Sequence, residues 1–165
     1  MAYTNVSNKA PVGVIGAGSF GTAVANLLAE NSRVILYSRS PEKVNEINHS
    51  KVSAGQQLHH HITVTNDIES FCKECYLIFP SVPSSNFRSM LRDFAPFLRP
   101  DHMLVHTTKG LDVNLNSTEN IFDKNISFET SEIQTMSQLI IQETNVKRVG
   151  CMSGPNLAKE IAQLQ

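Results

Sequence analysis

Cysteine, unbalanced charge and long apolar runs are all scarce in this chain, and each shortage closes off a class of function. Three cysteines are too few for the disulfide framework of a small secreted domain. Fourteen Lys and Arg against fifteen Asp and Glu leave a net charge of −1, which offers no electrostatic footprint to nucleic acid or to an anionic membrane surface. The longest apolar stretches, at 34–37 and 76–80, fall far short of the roughly 18–20 residues of a spanning helix, so no membrane insertion is expected. Residues 1–11 carry a single basic side chain and no apolar stretch, so no secretory signal is expected there and the compartment is read as reducing. Internal repeats and low-complexity tracts are missing too. What is present is a chain of 165 residues, 41% apolar and 18% charged: the profile of one globular domain whose partner is a small molecule.

Short β-branched runs alternate with amphipathic stretches, the βαβα rhythm of a parallel sheet covered on both faces. Strands are expected at 11–15, 33–38, 62–65, 75–79, 103–107 and 147–152. The helix at 19–30 places Phe20, Ala23, Val24, Leu27 and Leu28 on one face. Ser40-Pro41-Glu42 reads as a cap, a first-turn proline and an acid, opening a second helix. A third helix is expected from Asn66 or Asp67, a fourth capped by Ser84 or Ser85, and a fifth over 133–143. Two stretches break the rhythm. Residues 48–61 read as an aperiodic surface loop, and 111–131 as an extended loop with one short helical turn near 118–122.

Cys72 and Cys75 form a C-x-x-C where a helix runs into a strand. That is the opposite polarity to a thioredoxin-like site, and a zinc ribbon needs a second pair, so two structural cysteines are expected. His59, His60 and His61 are consecutive. On an extended chain they point to alternating sides and do not converge on one ion, so no metal site is expected. His102 and His106, at the two ends of one expected strand, receive the same structural reading.

G-A-G-S-F-G at 16–21 is a G-x-G-x-x-G that closes an expected strand and opens an expected helix, which is the setting of a dinucleotide-binding loop. Gly16 suits the tight turn, Gly18 the close approach of a pyrophosphate, and Gly21 the packing of helix on strand. The helix amino terminus then receives the anion. About 20 residues further on, where an NAD-specific domain carries Asp or Glu, stands Tyr37-Ser38-Arg39. A guanidinium beside a hydroxyl suits a 2′-phosphate, so the chemistry leans to NADP, with NAD left open. Together these features predict a Rossmann-type, doubly wound, mostly parallel α/β sheet. Its ligand lies outside the carboxyl ends of the strands, where Gly16, Ser38, Pro83, Lys109 and Ser153 all fall.

The order G-A-G-S-F-G-T-A-V-A at 16–25, S-R-S-P-E-K-V-N-E-I-N at 38–48, V-P-S at 82–84, T-K-G-L at 108–111 and S-G-P-N-L-A-K-E-I at 153–161 resembles the amino-terminal half of bacterial-type NAD(P)-dependent glycerol-3-phosphate dehydrogenase. The resemblance implies that Ser19 and Phe20 touch the dinucleotide beside the glycines and that Arg39 meets its adenosine end. Lys109 matches the family lysine shared by nicotinamide and substrate, Gly154 and Asn156 match positions near the glycerol phosphate, and Ala158 matches one near the cofactor. It further implies NADP or NAD as cofactor, dihydroxyacetone phosphate and sn-glycerol 3-phosphate as substrates, a cytoplasmic place in glycerophospholipid synthesis, and a homodimer at full length. Residues 1–165 would then be the cofactor domain alone. The general-base lysine and the arginine and asparagine that grip the phosphate would belong to a helical second domain absent from this chain. Two alternatives stay open at this stage: another two-domain NADP-dependent reductase of hydroxy or keto acids, and a nucleotide-binding module without catalysis.

Overall fold

A computed structural model of the chain describes residues 10–113, 133–154 and 158–162. Along it come β1 (Val12–Ile15), α1 (Ser19–Ala29), β2 (Val34–Tyr37), α2 (Pro41–Ser50), β3 (Val52–Ser53), β4 (Gln56–Gln57), β5 (Ile62–Thr65), α3 (Ile68–Glu74) and β6 (Leu77–Pro80). A 3-10 turn (Ser84–Asn86) then leads into α4 (Phe87–Phe94), followed by β7 (Met103–His106), β8 (Leu111–Val113), β9 (Ile133–Thr135), α5 (Met136–Glu143), β10 (Arg148–Cys151) and α6 (Ala158–Ala162). No helix among the described residues is long and apolar enough to cross a membrane.

Six strands form one sheet in the order β10-β7-β6-β1-β2-β5, and every neighbouring pair is parallel. The chain winds outward from β1 through β2 to β5, then crosses back to β6 on the other side of β1. That reversal opens a crevice at the carboxyl ends of β1 and β6. The period-2 alternation of the strands divides the core. Val14, Val34, Leu36, Ile62 and Val64 join Val24 of α1 with Val44 and Ile47 of α2 in one cluster. Ile15, Ile35, Tyr37 and Ile78 join Phe71 of α3, Leu91 and Phe94 of α4, and Leu139 and Ile140 of α5 in another. Tyr37 anchors the second cluster, meeting Phe94 edge to face with ring centroids 4.9 Å apart. The expected Rossmann-type sheet is therefore present, and its six main strands are wholly parallel.

Several local expectations are corrected. The 48–61 stretch is no loop throughout: α2 runs to Ser50 and a small antiparallel ribbon follows, pairing Val52 with Gln57 and Ser53 with Gln56. Two-residue strands are too short to show a period, and Lys51 and Ala54 turn the chain at φ of 57° and 47°. The fifth helix starts at Met136, because Thr135 and Gln138 form a capping box there. Ile133 to Thr135 instead pair antiparallel with Leu111 to Val113. Neither Ser84 nor Ser85 caps α4; both lie in the 3-10 turn that follows Pro83. The helical turn expected near 118–122 lies outside the described residues.

Candidate functional site

The crevice is built from the turn between β1 and α1. Gly16 leaves the strand at φ +114°, its amide still donating to the Tyr37 carbonyl at 3.0 Å. A Cβ at Gly21 would lie 1.9 Å from the Gly16 carbonyl oxygen, so only hydrogen fits where helix and turn meet. Gly18 differs: a Cβ there would meet no atom within 4 Å, and the space it would occupy belongs to the crevice. No side chain caps the first turn of α1 and no acid lies in it, which leaves its amides and positive dipole end facing that space. The cradle fits a pyrophosphate.

Two chambers meet over Gly18. One, of about 290 Å³, is lined by Gly16, Tyr37, Ser38, Arg39, Lys43, Asp93 and Phe94 among others. The second, of about 390 Å³, is lined by Ser19, Phe20, Ser81, Ser84, Thr107, Thr108 and Lys109. Gly18, Val82 and Pro83 line both, so the two form one continuous groove. At its β2 end, Arg39 is exposed beside the buried Ser38. Lys43, in the first turn of α2, donates from Nζ to the Ala17 carbonyl at 2.7 Å and adds a second cation to that wall. The Tyr37 hydroxyl in the floor is pushed above its ordinary value by burial and then by Asp93, so it stays a neutral phenol.

At the other end, hydroxyls lock two strand-end loops together. Thr107 Oγ1 lies within hydrogen-bond distance of the Pro80 carbonyl oxygen at 3.2 Å and of Ser81 Oγ at 3.0 Å, and Thr108 Oγ1 donates to the Val82 carbonyl at 2.7 Å. Lys109 projects from the next position. The chain then turns at Gly110, φ +117°, into the β8–β9 ribbon, where Arg88 of α4 binds Asp112 at 2.6 Å and also Glu143 of α5. Burial pushes the Glu143 carboxyl up, but Arg92 and Arg88 outweigh it and hold the group below its ordinary range. This network fixes the far side of the loop that carries Lys109.

The family profile described as NAD-dependent glycerol-3-phosphate dehydrogenase N-terminus matches residues 11–165. The chain belongs to that family. Among curated relatives, the glycerol-3-phosphate dehydrogenase [NAD(P)+] of Saccharophagus degradans is 37% identical over 99% of this chain, and that of Ectopseudomonas mendocina is 37% identical over 92%. The chain spans 42% and 41% of the length of these two relatives. The crystal structure of glycerol-3-phosphate dehydrogenase from Coxiella burnetii has the same fold, with a TM-score of 0.75 at 23% identity over 94% of this chain and 44% of that one.

Within this family member, Gly16, Gly18, Ser19, Phe20, Ser38, Arg39, Pro83 and Lys109 all line the groove, and Gly21 lies directly beneath it. Gly154 follows the edge strand β10 and Ala158 begins α6, which packs beside α1; neither is among the described residues that line the two chambers. Asn156 lies outside the described residues. Sequence reading missed Lys43, Asp93, Thr107 and Thr108. Lys43 had a signal, since it stands one turn after Arg39 on a helix whose start was legible. Asp93 had none, because it reaches the groove only through the packing of α4. Cys72 and Cys75 are buried, and burial pushes both thiols up to about 12, which suits their structural reading. His102 is likewise structural: Nδ1 accepts the Arg99 amide at 2.8 Å while Nε2 donates to the Cys72 carbonyl at 2.9 Å. The geometric premise for His59 to His61 is overturned, since their ligating nitrogens all lie within 4.8 Å of one another. The amide of Ile62 bonds the His59 carbonyl at 3.0 Å, which makes a turn of the segment that was read as extended.

Proposed function

We propose that the groove holds NADP or NAD as the cofactor half of an enzyme interconverting dihydroxyacetone phosphate and sn-glycerol 3-phosphate. The observation that carries this reading is the pair of chambers meeting over Gly18, with Arg39 and Lys43 at one end and Lys109 at the other. Bound there, the nicotinamide would supply the hydride. The chain's own residues do the positioning: α1 offers its amides to the pyrophosphate, Arg39 and Lys43 offer charge to the adenosine end, and Lys109 sets a cation near the reacting oxygen, where preorganised charge is most effective. Gly154 and Asn156 complete the phosphate side in the family pattern. A helical second domain supplies the general base and closes the groove to water, in a cytoplasmic homodimer that feeds glycerophospholipid synthesis.

Gly18→Val is the direct test. A Cβ at this position displaces no protein atom, so the variant should melt as the parent does. Its branched side chain fills the pyrophosphate space, so NADPH binding followed by fluorescence titration should be lost. Unchanged NADPH affinity in a folded variant would remove the groove as the phosphate site.

A further inference from the structure

At the opposite end of the sheet, where β5 begins, three imidazoles close on one another. Ring centroids lie 4.2 Å apart for His59 and His60, 4.0 Å for His60 and His61 and 4.9 Å for His59 and His61. The turn that gathers them is held from both sides: the His59 amide donates to Asn26 Oδ1 at 2.9 Å, and the His61 amide donates to His59 Nδ1 at 3.2 Å.

The His61 ring is oriented as a metal ligand. Its Nδ1 lies 3.1 Å from the Ala29 carbonyl oxygen, and a carbonyl only accepts, so Nδ1 carries the proton and Nε2 keeps its lone pair. A backbone carbonyl fixing the tautomer in this way is the usual outer-shell partner of a ligating histidine. Ala29 ends α1, whose carboxyl-terminal carbonyls form the negative pole of the helix and favour a cation.

We propose that His59, His60 and His61 form a binding site for a divalent transition-metal ion of the zinc class, separate from the groove. Imidazole nitrogen suits such ions, and three protein ligands leave a fourth position for water. Tetrahedral bonds of about 2.0–2.1 Å place ligand nitrogens about 3.4 Å apart. The nitrogens lie within 4.8 Å of one another, so an ion would draw them inward, with the exposed His60 ring turning and His59 Nδ1 giving up the His61 amide at 3.2 Å. The ion ties the end of α1 to the start of β5.

The experiment uses the whole chain, stripped with chelator and titrated with zinc chloride by calorimetry, and with cobalt(II) chloride by visible absorption. One ion per chain is expected, with the intense visible bands of four-coordinate cobalt. His60→Gln and His61→Gln should each weaken zinc at least about tenfold, since losing even an outer-shell partner costs about 10–100-fold. His49→Gln, on α2, should leave the affinity unchanged. Zinc should raise the thermal midpoint of the parent and not that of His60→Gln. His60 is exposed, so its replacement leaves the fold intact and the comparison always reads out. Non-saturating heats, more than one ion per chain, or an affinity that survives replacement of all three histidines would overturn the site.

Discussion

Arg39 stands at the tip of β2 with its side chain exposed, and Lys43 approaches the same chamber from α2. A charged hydrogen bond from the guanidinium to a 2′-phosphate contributes about 1.5–3 kcal/mol. Arg39→Ala should therefore weaken NADPH by that amount and NADH much less, in parallel binding titrations; equal losses would assign Arg39 no part in reading the 2′ position. His102 makes a second prediction at this scale. It is fully buried with both ring nitrogens committed to the neutral form, and burial holds it below its ordinary value. The unfolded chain takes up that proton first, at about pH 6.5. The stability linked to His102 is thus complete above about pH 6.5 and is lost as pH falls through the lower folded value. Burial depresses His106 in the same direction. Urea unfolding should show falling stability from about pH 7 to pH 5.5, and His102→Asn, though less stable throughout, should show a shallower fall. An unchanged slope would sink the assignment.

Helix α5 shows how an element is set by its first residues. Thr135 Oγ1 accepts the Gln138 amide at 3.2 Å, and Gln138 Oε1 accepts the Thr135 amide at 2.9 Å. Both bonds satisfy donors that a helix start otherwise leaves open. Thr135→Ala should cost about 1 kcal/mol, read as a lower urea midpoint at unchanged slope, while Thr135→Ser should restore most of it. The same cap explains why the 133–143 stretch divides. Its apolar spacing continues upstream of Thr135, but Ile133 pairs with Val113, a partner that helical periodicity does not report. Helix α2, by contrast, was legible from its first three letters: Ser40 accepts the Lys43 amide at 3.1 Å with proline in the first turn, and both signals are local.

At the scale of the whole molecule, two apolar clusters cover both faces of a six-stranded sheet, so the chain carries a core of its own. The 165 residues should bind NADPH. They should not oxidise it with dihydroxyacetone phosphate, because in the proposed enzyme the base and the closing wall of the groove would come from a second domain. Losing positioned acid–base help alone costs about 10²–10⁴ in rate. Absorbance of NADPH with saturating substrate should stay at background, and a chain extended to the length of the curated relatives should be active. Turnover by the 165-residue chain would place a base within it.

By itself the sequence determined the six strands, the glycine turn and the capped start of α2, because each rests on neighbours within one or two turns of chain: a run of β-branched residues, a glycine where a Cβ has no room, a serine ahead of a proline. It also placed Arg39 and Lys109 at strand ends, since a parallel sheet brings those ends to one side. Only the tertiary structure decided that Lys43 reaches the Ala17 carbonyl across 26 positions, that β8 finds β9, and that Asp93 enters the groove. It also decided that three histidines turn inward on one another. These depend on contacts between segments far apart in the chain, and periodicity records which face of an element is buried without recording what it is buried against.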